Sequence, residues 1–208
     1  MKLYYVPGAC SLACHIALEW IGEPYEAVRM TWGGVKSSEF LAMNPNGAVP
    51  LLTDGGYSLT QNAAILYYLA DRHPESRLLG DGTIRGRADV MKWLAFLNSD
   101  VHPAFKPIFV PNRYLPDPNF AGAIADAARS HVRTYLAHID KRLEGRDWLV
   151  DERSVADPYL FVLSRWAVRL NVGLDAFASL SRFSERMYAD PSVRKVIDAE
   201  ESAVGLAA

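Results

Sequence analysis

Hydrophobic periodicity changes once along this chain, near residue 80, and that change constrains the fold more than any single motif. Residues 1–80 alternate between the two-residue period of strands and the 3.6-residue period of helices; beyond that point only the helical period remains. Residues 2–6 read as a strand broken by Pro7-Gly8, and 10–21 as a helix stopped by Gly22 and Pro24. That helix has a polar stripe of Ser11, His15 and Glu19 and is apolar elsewhere, so it should be largely buried. A strand at 25–30, a short helix at 38–43, strands at 49–53 and 57–59, and a helix at 62–73 closed by Pro74 follow. Strands joined through a helix run parallel, and the Asp54-Gly55-Gly56 connection makes the last pair antiparallel. The first unit is therefore a small mixed α/β sheet. Residues 83–101, 121–143, 154–170, 177–189 and 192–200 read as helices, so the second unit is all-α. We place the two domains at 1–78 and 84–208.

With 208 residues, half of them hydrophobic, the chain can bury a core without staples. A formal charge of −2 argues against a nucleic-acid binder. No run approaches the ~18 apolar residues of a membrane span, and the first residues read as a strand rather than a signal peptide. A soluble, cytoplasmic protein is expected. The two cysteines, Cys10 and Cys14, lie four apart on one helix. There their β-carbons would be ~5–6 Å apart, beyond the ~3.5–4.5 Å of a disulfide. Both should be free thiols.

Cys10 opens its helix, where unpaired N–H groups and the helix dipole favour an anion. That position predicts a depressed pKa and a reactive thiol, against the alternative of a small packed residue. Cys14 reads as packing. Val49-Pro50 opens a strand and is either an edge proline or a cis peptide. Thr60-Gln61-Asn62 opens the third helix, as a plain N-cap or as a carboxylate site. Ser154 and Asp157 have the spacing of a capping box. Five prolines in 103–118 predict a kinked helix end and an irregular loop.

Tyr5-x-Pro7-Gly8-Ala9-Cys10-Ser11-Leu12, Asn44-Pro45-x-Gly47-x-Val49-Pro50, Leu59-Thr60 before a helix ending Tyr68-Leu69-Ala70-Asp71, and Ser154-Val-Ala-Asp157-Pro-Tyr-Leu-Phe together resemble glutathione S-transferases. Cys10 points to the bacterial beta class. The resemblance spans the chain and implies a thioredoxin-like N-terminal domain (βαβαββα), an all-helical C-terminal domain carrying the electrophile site, and a homodimer. It further implies glutathione as co-substrate, with no other cofactor and no metal. Val49 and Pro50 would pair with the cysteinyl part of glutathione, Gln61 and Asn62 would hold its γ-glutamyl end, and Lys36 its glycine carboxylate. Gln61 stands where the family mostly has Glu. His102 would act near the glutathione sulfur. Pro103, where the family usually has lysine, should bias His102 away from helical geometry. Ala95 stands where relatives carry a polar group that reaches across the dimer, and Asn98 is the nearest substitute.

Tyr5 and Ser11 are secondary catalytic candidates, and Phe105, Ile108, Phe109 and Trp166 are candidates for an apolar wall, although aromatics at helical spacing are more often core and that reading is kept for Trp93 and Trp166. His15, His73, His131 and His138 read as surface or capping residues. Two functions stay open. One is an enzyme that stabilises the glutathione thiolate for attack on small apolar electrophiles, with thiol–disulfide exchange or peroxide reduction beside it. The other is a non-enzymatic binder of glutathione or apolar ligands on the same fold.

Overall fold

The computed structural model describes residues 1–205. Its N-terminal unit runs β1 (Lys2–Tyr5), α1 (Ser11–Ile21), β2 (Glu26–Arg29), α2 (Ser38–Met43), β3 (Leu51–Asp54), β4 (Tyr57–Thr60) and α3 (Asn62–Arg72). The sheet order is β2-β1-β3-β4. β1 pairs parallel with β2 through Leu3 and Ala27, and antiparallel with β3 through Leu3 and Leu52. The second unit carries α4 (Ile84–Phe96), α5 (His102–Ala104), α6 (Lys106–Phe109), α7 (Ala121–Arg142), α8 (Ala156–Arg169), α9 (Ala178–Ala189) and α10 (Pro191–Gly205). This is the α/β plus all-α architecture that the period change predicts.

Helix α1 is the shared wall of the two units. It lies against α3 on one side and against α8 and α10 on the other. Leu12, Ala13, Ile16, Ala17 and Leu18 are buried in one core, continuous with Leu94, Leu97, Leu160 and Leu163 of the helical unit. A smaller core, Val6, Ala9, Val35, Phe40, Val49 and Leu51, lies under α2. Ser11 and His15 of the polar stripe on α1 are buried too, and Glu19 is partly exposed. His15 is 4 % exposed, and its Nδ1 is 3.0 Å from Glu200 Oε1, itself 3 % exposed. The expectation of a surface histidine fails because α10 returns over α1 and supplies a carboxylate from 185 residues away.

Two segments differ from the sequence expectation. Pro103 does not push His102 out of helical geometry: His102 keeps φ −59° and ψ −49°. Proline cannot donate to the carbonyl four residues back, and its ring crowds that carbonyl. Residues Leu97–Val101 open into a single π turn, closed by the His102 N–H on Leu97 O, and the helical path continues. The proline-rich stretch is also more ordered than a loop, with α5, α6 and short 3₁₀ turns at Pro111–Arg113 and Pro118–Phe120.

The capping box forms at the start of α8. Asp157 accepts the Ser154 N–H at 2.7 Å and the Leu149 N–H at 3.0 Å, while Ser154 Oγ accepts the Ala156 N–H at 3.3 Å.

Candidate functional site

The loop from Pro7 to Cys10 is held on both faces by the helical unit. Gly8 turns at φ +71°, a conformation that glycine adopts without the steric cost of a side chain. Its N–H donates to Glu200 Oε2 at 3.0 Å, and its carbonyl accepts from Trp166 Nε1 at 2.9 Å. The peptide two residues before Cys10 is thus fixed by α10 and α8 together.

Cys10 stands at the N-cap of α1, and its thiol donates to Val49 O at 3.7 Å. Burial pushes it up to about 12, and the N–H groups of Cys10 and Ser11 pull it back less than that. The depressed pKa expected from the helix start is therefore not found: the half-buried Cys10 thiol is expected to be neutral at pH 7. Cys14 is fully buried and donates to Asn62 Oδ1 at 3.1 Å. Both cysteines are free.

The turn before Val49 is built by Asn44, whose Oδ1 accepts from Asn46 N and whose Nδ2 donates to Ala48 O. Val49-Pro50 is a cis peptide and both residues are buried. β3 starts only at Leu51, two residues later than the sequence suggests. Lys36 is exposed, and its Nζ donates to Gly47 O at 2.7 Å, beside this turn. Gln61 occupies the N-cap of α3 at φ +74°, ψ +120°, a strained backbone for a residue with a side chain, and its side chain makes no capping bond. The plain-cap reading of Gln61 does not hold; the side chain stays exposed at a helix N-terminus it leaves open. Asn62 is buried at 4 %, with Oδ1 taken by Cys14 and Nδ2 unpaired.

Two candidates point elsewhere. Ser11 is fully buried; its Oγ accepts from Val6 N at 3.3 Å and stands 3.4 Å from Val6 O, so the hydroxyl ties β1 to α1. The ring of Tyr5 lies against His15 at 5.1 Å, one turn beyond Cys10 on α1. Burial, followed by the Glu200 charge, raises its phenol above the usual range, so it is protonated.

Facing this corner, Trp166 is ringed by three side chains at right angles: His102 at 4.8 Å, Phe109 at 5.1 Å and Phe105 at 5.8 Å. Phe105 is fully buried and Ile108 is 9 % exposed, so both support the wall from behind, and Phe109, 39 % exposed, is the surface member. His102 Nδ1 is 2.7 Å from the hydroxyl of Tyr159, which donates to Asn98 Oδ1 at 3.1 Å. Asn98 is thereby engaged within its own chain. Burial, with Lys106 adding to it, holds His102 down to about 4, so the ring is neutral at pH 7.

Sequence reasoning missed Tyr159 and Glu200. Tyr159 could have been flagged as a phenol amid Leu160, Phe161, Val162 and Leu163, because a buried hydroxyl needs a partner. Two surface clefts, one lined by Gly80, Arg142 and Glu152 and one by Arg133 and Asn171, share no residue with this site. The chemistry-bearing groups converge instead between Cys10 and Trp166. Among the described residues no group of His, Cys, Asp or Glu could hold a metal ion.

A mixed thioredoxin-like sheet carrying a thiol at the start of α1, facing an aromatic wall on an all-helical unit, defines a two-domain thiol-site protein. Residues 1–71 match the glutathione S-transferase N-terminal domain and residues 97–191 the C-terminal domain. The chain is 46 % identical to glutathione S-transferase GST-4.5 of Xanthomonas campestris, covering 96 % of this chain and 98 % of that one. It superposes on a glutathione S-transferase from Xylella fastidiosa with a TM-score of 0.93 at 44 % identity, covering 96 % and 98 %. A sphingomonad glutathione S-transferase complexed with glutathione gives 0.86 at 38 % identity, covering 97 % and 99 %. The chain belongs to the glutathione S-transferase family, and its homologues and structural neighbours support the bacterial beta class within it.

Proposed function

We propose that this protein is a glutathione transferase that conjugates the glutathione thiol to small apolar electrophiles. One arrangement carries the reading: Cys10 lies against Val49, Leu51 after the cis peptide pairs with Thr60 just before the uncapped N-terminus of α3, and Trp166, which packs on His102, reaches Gly8 two residues before Cys10. Bound there, the γ-glutamyl carboxylate would sit at the N-terminus of α3 beside Gln61 and Asn62, where free N–H groups favour an anion. Lys36 would reach the glycine carboxylate from beside Gly47, and Val49 would pair with the cysteinyl backbone. Neutral Cys10 would act as a hydrogen-bond donor toward the sulfur rather than as the nucleophile. The electrophile would lie against Phe109 and Trp166.

The protein is expected to be retained on immobilised glutathione, to be released by free glutathione, and to conjugate a haloaromatic substrate. Retention without turnover would favour the non-enzymatic binder. In His102→Ala, kcat should fall at least tenfold while KM for glutathione changes less than about threefold. Loss of binding with kcat kept would make His102 a ligand contact only.

A homodimer in the cytoplasm completes the reading. Ile84 and Met91 on α4 and Tyr57 on β4 are large apolar side chains left exposed, which suits burial against a second copy. Sedimentation at micromolar concentration should give about twice the 23.1 kDa chain mass. A monomer would remove the dimer from the proposal. No helix among the described residues is long and apolar enough to cross a membrane.

A further inference from the structure

Tyr159 is fully buried on α8, and its hydroxyl meets two side chains of the other helical layer. The oxygen is 2.7 Å from His102 Nδ1, and the hydroxyl donates to Asn98 Oδ1 at 3.1 Å. A phenol has one proton, and an amide oxygen can only accept. With that proton on Asn98, the short contact to His102 is filled by a proton on Nδ1. Asn98 lies within the π turn and His102 directly follows it, on the stretch that carries the chain past Pro103, so the turn aims both groups at one hydroxyl. The other ring nitrogen, Nε2, makes no hydrogen bond among the described residues, and Trp166 confines the ring edge-on at 4.8 Å.

We propose that Tyr159 and Asn98 are positioning residues that lock His102 in the tautomer protonated at Nδ1, which leaves an unprotonated Nε2 for the glutathione sulfur. This rests on the reading of His102 as the group that acts on that sulfur. In the step it serves, the S–H bond breaks and its electron pair forms the new bond from sulfur to the haloaromatic carbon, the carbon–halogen bond breaks with its pair leaving on halide, and the proton passes to Nε2 and then to water. Burial and Lys106 keep the ring neutral, so Nε2 is unprotonated across the neutral range, and the same low affinity for a proton makes it a relay to water rather than a resting place for the proton. The opposite tautomer would present an N–H that can hydrogen-bond to a thiolate but cannot take the proton.

The tautomer can be read without any assay, from two-bond nitrogen–proton correlation spectra of the histidine rings at pH 7. His102 would be assigned among the five histidines by its disappearance in His102→Gln. The expected result is an Nδ1 of the protonated type and an Nε2 of the unprotonated type. Tyr159→Phe should give a mixture of the two forms and a kcat lower by about tenfold, a part of the hundredfold or more that a positioned base contributes, with KM for glutathione unchanged. Asn98→Asp keeps an acceptor for the phenol and should retain the wild-type spectrum. A protonated Nε2 in the wild type, or an unchanged spectrum in a folded Tyr159→Phe, overturns the proposal. Full kcat in His102→Gln with the expected wild-type spectrum would instead overturn only the role of His102.

Discussion

Iodoacetamide is expected to modify Cys10 at pH 7 on the order of a thousandfold more slowly than an unperturbed cysteine. The factor follows from the thiolate fraction, because burial moves the thiol from 9.0 to about 12. Below that value the rate should rise about tenfold with each pH unit. Peptide mapping after timed alkylation between pH 6 and pH 10 measures it, with Cys14 as a second buried thiol in the same sample. Rapid, pH-independent labelling of Cys10 near neutrality would show a stable thiolate and restore the reading taken from the helix start. The sign of this result separates two local effects. The N–H groups of Cys10 and Ser11 do favour the anion, as a helix N-terminus should. They are outweighed by the loss of water around a half-buried sulfur that lies against the Val49 carbonyl.

The same balance bears on the choice of chemistry. Attack by Cys10 on a disulfide needs its thiolate, so exchange through Cys10 should be slow at pH 7 in the unliganded protein. Conjugation needs only the glutathione thiolate, to which a neutral Cys10 can donate a hydrogen bond. Conjugation is therefore expected to outpace disulfide reduction at pH 7, although the cysteine alone suggested both.

What was legible in the sequence depended on how far apart interacting residues are along the chain. The alternating periods place α1, β3, β4 and α3 within two residues of their observed bounds, because each depends on its own hydrophobic spacing and on breakers such as Gly22, Pro24 and Pro74. The capping box was legible because Ser154 and Asp157 are three apart. The site was legible only in outline. Cys10, Val49 and Gln61 are marked by local signals, yet the Gly8 peptide is held by Trp166 and Glu200, 158 and 192 residues away. His15 looked like one of a polar stripe because nothing near it in sequence announces α10. The expected kink at His102 failed for a different reason: proline preference is computed against an α-helix, and a π turn offers the backbone another path.

Replacing Asp157 with alanine is expected to cost about 2–4 kcal/mol, which urea denaturation of the two proteins would measure. The carboxylate is fully buried and receives the backbone N–H groups of Leu149 and Ser154. Alanine leaves both donors buried without a partner, at about 1–3 kcal/mol each. The charge itself works in the other direction. Burial raises Asp157 from 3.8 to about 6, although its three donors and Arg153 pull it back toward the ionised form. Between those two values the folded protein holds a proton that the unfolded chain has released. Its contribution is thus fully present below pH 3.8, is lost as pH rises toward 6, and is level above that. The size of the loss is on the order of 3 kcal/mol from a shift of about two units. Asp157→Asn keeps one acceptor oxygen and removes the titration. The stability difference between wild type and this variant should therefore drift by about that amount from pH 4 to pH 6.5, with the wild type losing ground as pH rises. A difference that stays flat across the window would mean that the donors around Asp157 hold it ionised in the folded state, and the start of α8 would then be capped by a charge whose burial is already offset.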